Sequence, residues 1–233
     1  MRRSFLAFCC ALLPLAPASA VTVGQIDTFE DGTVQNWVVN LLGMGPHPAP
    51  PVNVATDGPA GANDHFMRLT SVGGAGSGSR MTVINLAQWS GDYVAAGVQA
   101  ISMSVRNPGA SDLNLRLFFE DPMGGPPTNT AFSTDSILVQ AGNEWQTVIF
   151  GVRPGDLSPG TGSVLDALTN ATAFRIYPAA APGFPGEPIV ALLDVDNIQA
   201  LAAVPEPATW AMMIAGFGLA GAAMRRRSRL VTA

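Results

Sequence analysis

Two stretches of strict alternation constrain this chain more than anything else in it. Ile101, Met103 and Val105 alternate with Ser102, Ser104 and Arg106, and Leu113, Leu115, Leu117 and Phe119 alternate with Asn114, Arg116 and Phe118. An apolar period of two places one set of side chains on one face of an extended backbone, whereas a helix needs a period near 3.6. Val52–Ala55, Phe66–Ser71, Arg80–Leu86, Ser136–Gln140, Trp145–Val152, Ala173–Tyr177 and Ile189–Leu201 read as further strands. Between them lie turn-forming runs: Asp57-Gly58-Pro59, Asn107-Pro108-Gly109, Ala141-Gly142-Asn143 and Gly155 through Gly162. Gly73–Ser79 and Met44–Pro51 read as loops, and Val164–Thr169 alone reads as a short helix. About nine short strands with Gly- and Pro-rich connections imply an all-β fold, a β-sandwich or jelly roll.

The sandwich pattern does not reach either end. Arg2 and Arg3 precede an apolar run from Phe5 to Ala16, which leads to Ala18-Ser19-Ala20. A basic start, a short apolar stretch and a small-x-small site describe a signal peptide over residues 1–20, with a mature start at Val21. Pro14 and Pro17 interrupt the run, and a membrane span needs about 20 apolar residues. Cys9 and Cys10 fall inside this segment, so the mature chain is expected to have no disulfide, thiol nucleophile or thiolate metal site.

The other end, residues 204–233, is built differently again. Thr209 to Met224 is sixteen residues without a charge, ~24 Å as a helix. Trp210 stands at its start, where a membrane interface favours an aromatic ring. Arg225, Arg226, Arg227 and Arg229 follow as a cytoplasmic stop under the positive-inside rule. The physical reading is a single transmembrane helix with the sandwich, residues 21–203, held outside. Pro205-Glu206-Pro207, the glycine-containing apolar segment and the terminal arginines together resemble the PEP-CTERM sorting signal of Gram-negative bacteria. That resemblance implies an exosortase-type membrane protease as partner, with Pro205, Glu206, Pro207, Arg225, Arg226 and Arg227 as the sorting motif. It also implies export across the inner membrane and anchoring at the envelope, with surface display or release after cleavage, among proteins made alongside exopolysaccharide or biofilm matrix.

Charge narrows the partners of the exported part. Between Val21 and Val204 there are six arginines, no lysine and sixteen Asp or Glu, a net charge of −10. Such a surface repels phosphate backbones, so nucleic acid is excluded as a partner.

A second resemblance concerns the sandwich itself. Asp27-Thr28-Phe29-Glu30-Asp31-Gly32-Thr33 running on to Trp37 is similar to the opening of jelly-roll carbohydrate-binding-type domains. Gly142-Asn143-Glu144-Trp145-Gln146-Thr147-Val148 and Leu193-Asp194-Val195-Asp196-Asn197-Ile198 resemble an inner strand and the last strand of those domains. In them the first and last strands lie close together and share a structural calcium. By that likeness Glu30 and Asp196 would be Ca2+ ligands, with Asp27 or Asp194 as secondary additions.

No catalytic constellation is visible beside these motifs. His47 sits in a Pro-rich loop and His65 beside Asp64, neither with a partner at metal-ligand spacing. No serine occupies a G-x-S-x-G elbow. Glu120 and Asp121 are adjacent on a strand and point to opposite faces, so they read as a solvated strand end and not as a glycosidase pair. Among the aromatic residues, Trp37 and Trp145 fit the core pattern of the resembled domains. Trp89 and Tyr93, in the Gln88–Tyr93 connection, are the rings expected to be exposed and to stack on a sugar. The sequence therefore points to a non-enzymatic exported surface or matrix protein that interacts with exopolysaccharide. The alternative is an envelope or extracellular hydrolase, glycosidase-like, whose dispersed site would bring two carboxylates to about 5–10 Å.

Overall fold

The computed structural model describes residues 20–39, 49–76, 78–123 and 126–202. The expected signal peptide (apart from Ala20), sorting motif, transmembrane helix and His47 lie outside the described residues. Among the described residues no helix is long and apolar enough to cross a membrane.

Twelve strands follow in chain order. The first six are β1 (Ile26–Asp27), β2 (Val52–Val54), β3 (Phe66–Val72), β4 (Val83–Asn85), β5 (Ala100–Arg106) and β6 (Leu113–Asp121). The rest are β7 (Asn129–Ser133), β8 (Ile137–Val139), β9 (Gln146–Gly151), β10 (Leu157–Pro159), β11 (Ala173–Pro178) and β12 (Val190–Leu201). They form two antiparallel sheets. The first runs β2-β3-β12-β5-β9, with β1 also paired to β12. The second runs β10-β7-β6-β11-β4, with β8 also paired to β6. The expected helix is present as α1 (Val164–Thr169), and the Ser163 side chain caps it by accepting a hydrogen bond from the Asp166 N–H at 3.3 Å.

Alternation fixes which face of each strand meets the other sheet. Ile101, Met103 and Val105 of β5 and Leu113, Leu115, Leu117 and Phe119 of β6 are fully buried in one core between the sheets. Leu193 and Val195 of β12 and Phe174 and Ile176 of β11 join them. On β6, however, the opposite face is covered as well. Phe118, Phe132, Tyr177 and Ala179 form a second apolar cluster on the outer side of the second sheet. Phe118 thus breaks the polar half of the alternation for a packing reason.

The carboxylate of Asp27, on β1, anchors the amino-terminal strand inside the core. One of its oxygens accepts the indole N–H of Trp37 at 2.8 Å and that of Trp89 at 2.7 Å, together with the Gln88 amide at 3.1 Å. Burial pushes its pKa up, opposed by these three donors. This contact corrects the expectation for two rings. Trp89 and Tyr93 are not surface platforms but wholly buried core residues. Each ring finds its polar partner internally, Trp89 in Asp27 and Tyr93 in the Trp89 carbonyl, which its hydroxyl reaches at 2.7 Å. Their polar atoms therefore gave them no reason to stay near water.

Candidate functional site

The outer face of the second sheet carries a cleft of about 620 Å3, within the ~300–1,000 Å3 range of small-ligand sites. Its residues follow from strand parity. Leu117 and Phe119 point into the core, so Phe118 and Glu120 point out; Ala131 points in, so Thr130 and Phe132 point out; Phe174 and Ile176 point in, so Arg175 points out. Pro159 at the end of β10, with Gly160 and Thr161 after it, forms one wall, and Pro182, Gly183 and Phe184, between β11 and β12, form another. A Cβ on Gly160 would overlap both the Phe132 ring edge and the Thr130 hydroxyl, so that wall requires the missing side chain.

The floor is aromatic. Phe118 and Phe132 are cross-strand partners stacked at 4.4 Å between centroids with 12° between planes. Phe184 lies 5.6 Å from Phe118 and is 48 % exposed, so one large face remains open to a ligand. Set into this floor is a buried ion pair, with Arg175 Nε donating to Glu120 Oε2 at 2.5 Å. The guanidinium carbon stands 5.8 Å from the Phe118 ring centre and 5.3 Å from that of Phe184. Among the described residues, the two Nη groups of Arg175 meet no protein acceptor, and Oε1 of Glu120 meets no protein donor. Glu120 is therefore not the solvated strand end read from the sequence. Its position on the outward parity, diagonal to Arg175 across the β6–β11 pairing, buries it in an ion pair. The Thr130 hydroxyl is already committed to the backbone N–H and hydroxyl of Thr161, at 2.7 and 3.0 Å.

The second cluster sits where β12 bulges. The register with β5 shifts between Asp196 and Gln199, and Asn197 adopts a left-handed φ of 51°. Burial raises the Asp196 carboxyl to about 7, and the negative charges of Asp64 and Glu30 push it the same way. Among the described residues, no cationic side chain opposes them. The two residues expected to share a calcium, Glu30 and Asp196, are thus close enough to repel, and Asp64 joins them. Glu30 also accepts the backbone N–H of His65 at 3.0 Å. Oxygen donors with surplus negative charge fit a hard cation such as Ca2+. Among the described residues, no three acidic or histidine side chains converge tightly enough to hold a metal unaided, so carbonyl oxygens and water would have to complete the shell.

Asp194 and Asp27 do not join this cluster. Asp194 is enclosed by two guanidinium groups, Arg68 at 2.6 Å and Arg106 at 2.9 Å, and Asp27 by the two indoles. Trp145 packs over Arg106, 4.7 Å from ring centre to guanidinium, on the outer face of the first sheet. It is half-buried there, outside the central core.

Sequence reasoning missed the cleft residues Phe118, Phe132, Arg175 and Phe184. The available signals were Phe118, which occupies a polar slot of the alternation, and Phe184, alone among turn formers in Pro182-Gly183-Phe184-Pro185-Gly186.

Comparison with solved structures shows a shared fold. An exo-β-agarase superposes with a TM-score of 0.54 at 13% identity over 79% of this chain, which spans only 26% of that enzyme. A family 11 carbohydrate-binding module from Clostridium thermocellum, solved with a β-1,3-1,4-mixed-linked tetrasaccharide, gives a TM-score of 0.44 at 16% identity, covering 78% of this chain and 98% of the module. No curated protein matches the sequence. Beyond the sandwich, residues 203–227 match the PEP-CTERM protein-sorting motif, and the chain is therefore one that carries a PEP-CTERM sorting signal directly after its last described strand.

Proposed function

We propose that this chain is an exported, exosortase-processed, non-catalytic module that binds glycan in the cleft on the outer face of its second sheet. The observation that carries the reading is the buried Arg175, whose unclaimed Nη groups line the cleft beside the open face of Phe184. A sugar ring offers an apolar face for stacking and edge hydroxyls for hydrogen bonds. Phe184 supplies the first need, while Arg175 donors and the Glu120 Oε1 acceptor supply the second. The sorting motif supports delivery to the envelope.

Hydrolysis is less well served by the same residues. General acid and base catalysis on a glycosidic bond needs two carboxyl groups flanking it. Glu120 is the one carboxylate among the described cleft residues, and Arg175 holds it as an ion pair. A structural Ca2+ held by Glu30 and Asp196, with Asp64 added, would tie β12 to the loop after β1; no chemistry in the cleft is assigned to it.

The test is retention of the purified protein on immobilised polysaccharides, including the exopolysaccharide of its own host, with product analysis for reducing ends. Retention without new reducing ends, weakened about ten-fold in Phe184→Ala, is the expected result. Absence of retention on every glycan, or release of reducing ends, would overturn it.

A further inference from the structure

Resting on that reading, we infer that the sugar unit seated in the cleft carries methyl-bearing groups, as in a 6-deoxyhexose or an O-acetylated residue, and is not a fully hydroxylated hexose.

The argument is a count of polar partners against apolar walls. Three phenyl rings, Phe118, Phe132 and Phe184, and three prolines, Pro127, Pro159 and Pro182, supply half of the twelve lining residues. Against them, few polar side-chain atoms are available. The Thr130 hydroxyl is spent on Thr161. Arg175 Nε and Glu120 Oε2 are spent on each other. That leaves the N–H donors of the two Nη groups and Glu120 Oε1, all gathered at the one Arg175–Glu120 pair, where they reach two or so adjacent hydroxyls. A hexose carries hydroxyls around its whole rim, and each one pressed against phenyl or proline away from that pair loses its water uncompensated. A methyl group at the same position gains from burial. Each exchange of a buried, unpaired hydroxyl for a methyl group therefore favours binding by roughly ten-fold.

The experiment compares matched ligands on the intact protein. One pair is an O-acetylated polysaccharide before and after mild alkaline de-O-acetylation, measured by retardation in affinity electrophoresis. The other is methyl α-L-fucoside against methyl α-L-galactoside, which differ only in the hydroxyl on C6, measured as competitors for the retained polysaccharide. The acetylated chain and the fucoside are expected to bind about ten-fold more tightly than their counterparts, and Phe184→Ala is expected to narrow both gaps. Equal or tighter binding of the hydroxylated partner in both pairs overturns the inference while leaving a glycan-binding cleft in place. If no polysaccharide is retained at all, the underlying reading falls as well.

Discussion

Arg175 and Glu120 pair diagonally across neighbouring strands, Nε to Oε2 at 2.5 Å, with the Phe184 ring 5.3 Å from the guanidinium carbon. The pair is buried at the bottom of an otherwise apolar cleft, and both partners retain hydrogen-bonding capacity toward it. Such an arrangement is costly to break by halves, because removing one partner strands a buried charge. Arg175→Met is expected to destabilise the protein by about 3–5 kcal/mol. The double variant Glu120→Gln/Arg175→Met should recover much of that loss while still failing to bind glycan. Denaturant unfolding of the single and double variants checks the first statement, and affinity electrophoresis the second.

Phe184 is the complementary case, since nearly half of it is exposed. Phe184→Ala should leave the melting temperature within a degree or two and weaken glycan binding roughly ten-fold. Differential scanning fluorimetry and isothermal titration separate the two effects.

Trp89 and Tyr93 should behave in the opposite sense. Both are core residues, so Trp89→Ala is expected to cost about 3–5 kcal/mol of stability. Any fraction that still folds should bind glycan as the parent protein does, because neither ring lines the cleft. Unfolding midpoints together with binding measured on the folded fraction decide this.

Calcium should raise the unfolding temperature. At a hundred-fold excess over its Kd a ligand of the native state adds about 2.7 kcal/mol. Asp196→Asn should abolish that gain, and without calcium it should leave the protein at least as stable, since it removes a buried charge that Glu30 and Asp64 repel. Thermal melts in chelator and in millimolar Ca2+, for both proteins, test the expectation.

The chain has two tyrosines, and both resist ionisation. Burial pushes Tyr177 up to about 12 and Tyr93 well above its ordinary value. Below pH 10 both are protonated whether the chain is folded or not, so they do not affect stability there. As the pH rises from 10 toward 12, the unfolded chain ionises while the native state does not, so stability falls by ~1.4 kcal/mol per pH unit for each tyrosine. Phenolate absorbance at alkaline pH should therefore be missing at pH 10–11 and then appear together with loss of the folded signal.

Strand parity was legible from the sequence wherever large apolar residues occupy every inward position. Ile101–Arg106 and Leu113–Phe119 sit in the structure as their alternation requires, and α1 occupies the expected residues. Legibility failed where the inward position holds a small residue or the strand is short. Asn129–Ser133, with Thr130 and Phe132 outward and Ala131 inward, shows no apolar period, and Leu157–Pro159 is hidden among turn residues as an edge strand. The cleft was missed for a related reason. It is assembled from one or two residues on each of several strands and loops, and no local pattern marks which outward positions converge. Trp89 and Tyr93 misled because a loop position suggests exposure, whereas Asp27, 62 residues away, supplies the buried acceptor that draws Trp89 inside.

The place of β12 bears on how this protein withstands force. Val190–Leu201 is a central strand, bonded to β3 and β1 on one side and to β5 on the other, and the sorting motif begins at residue 203. Were the tail held at the membrane while the cleft held a polymer, a tug in line with β12 would load the hydrogen bonds on both of its flanks in parallel. Those bonds must then fail together in shear, not unzip one after another, so the join between tether and module resists mechanical rupture better than an edge-strand attachment would.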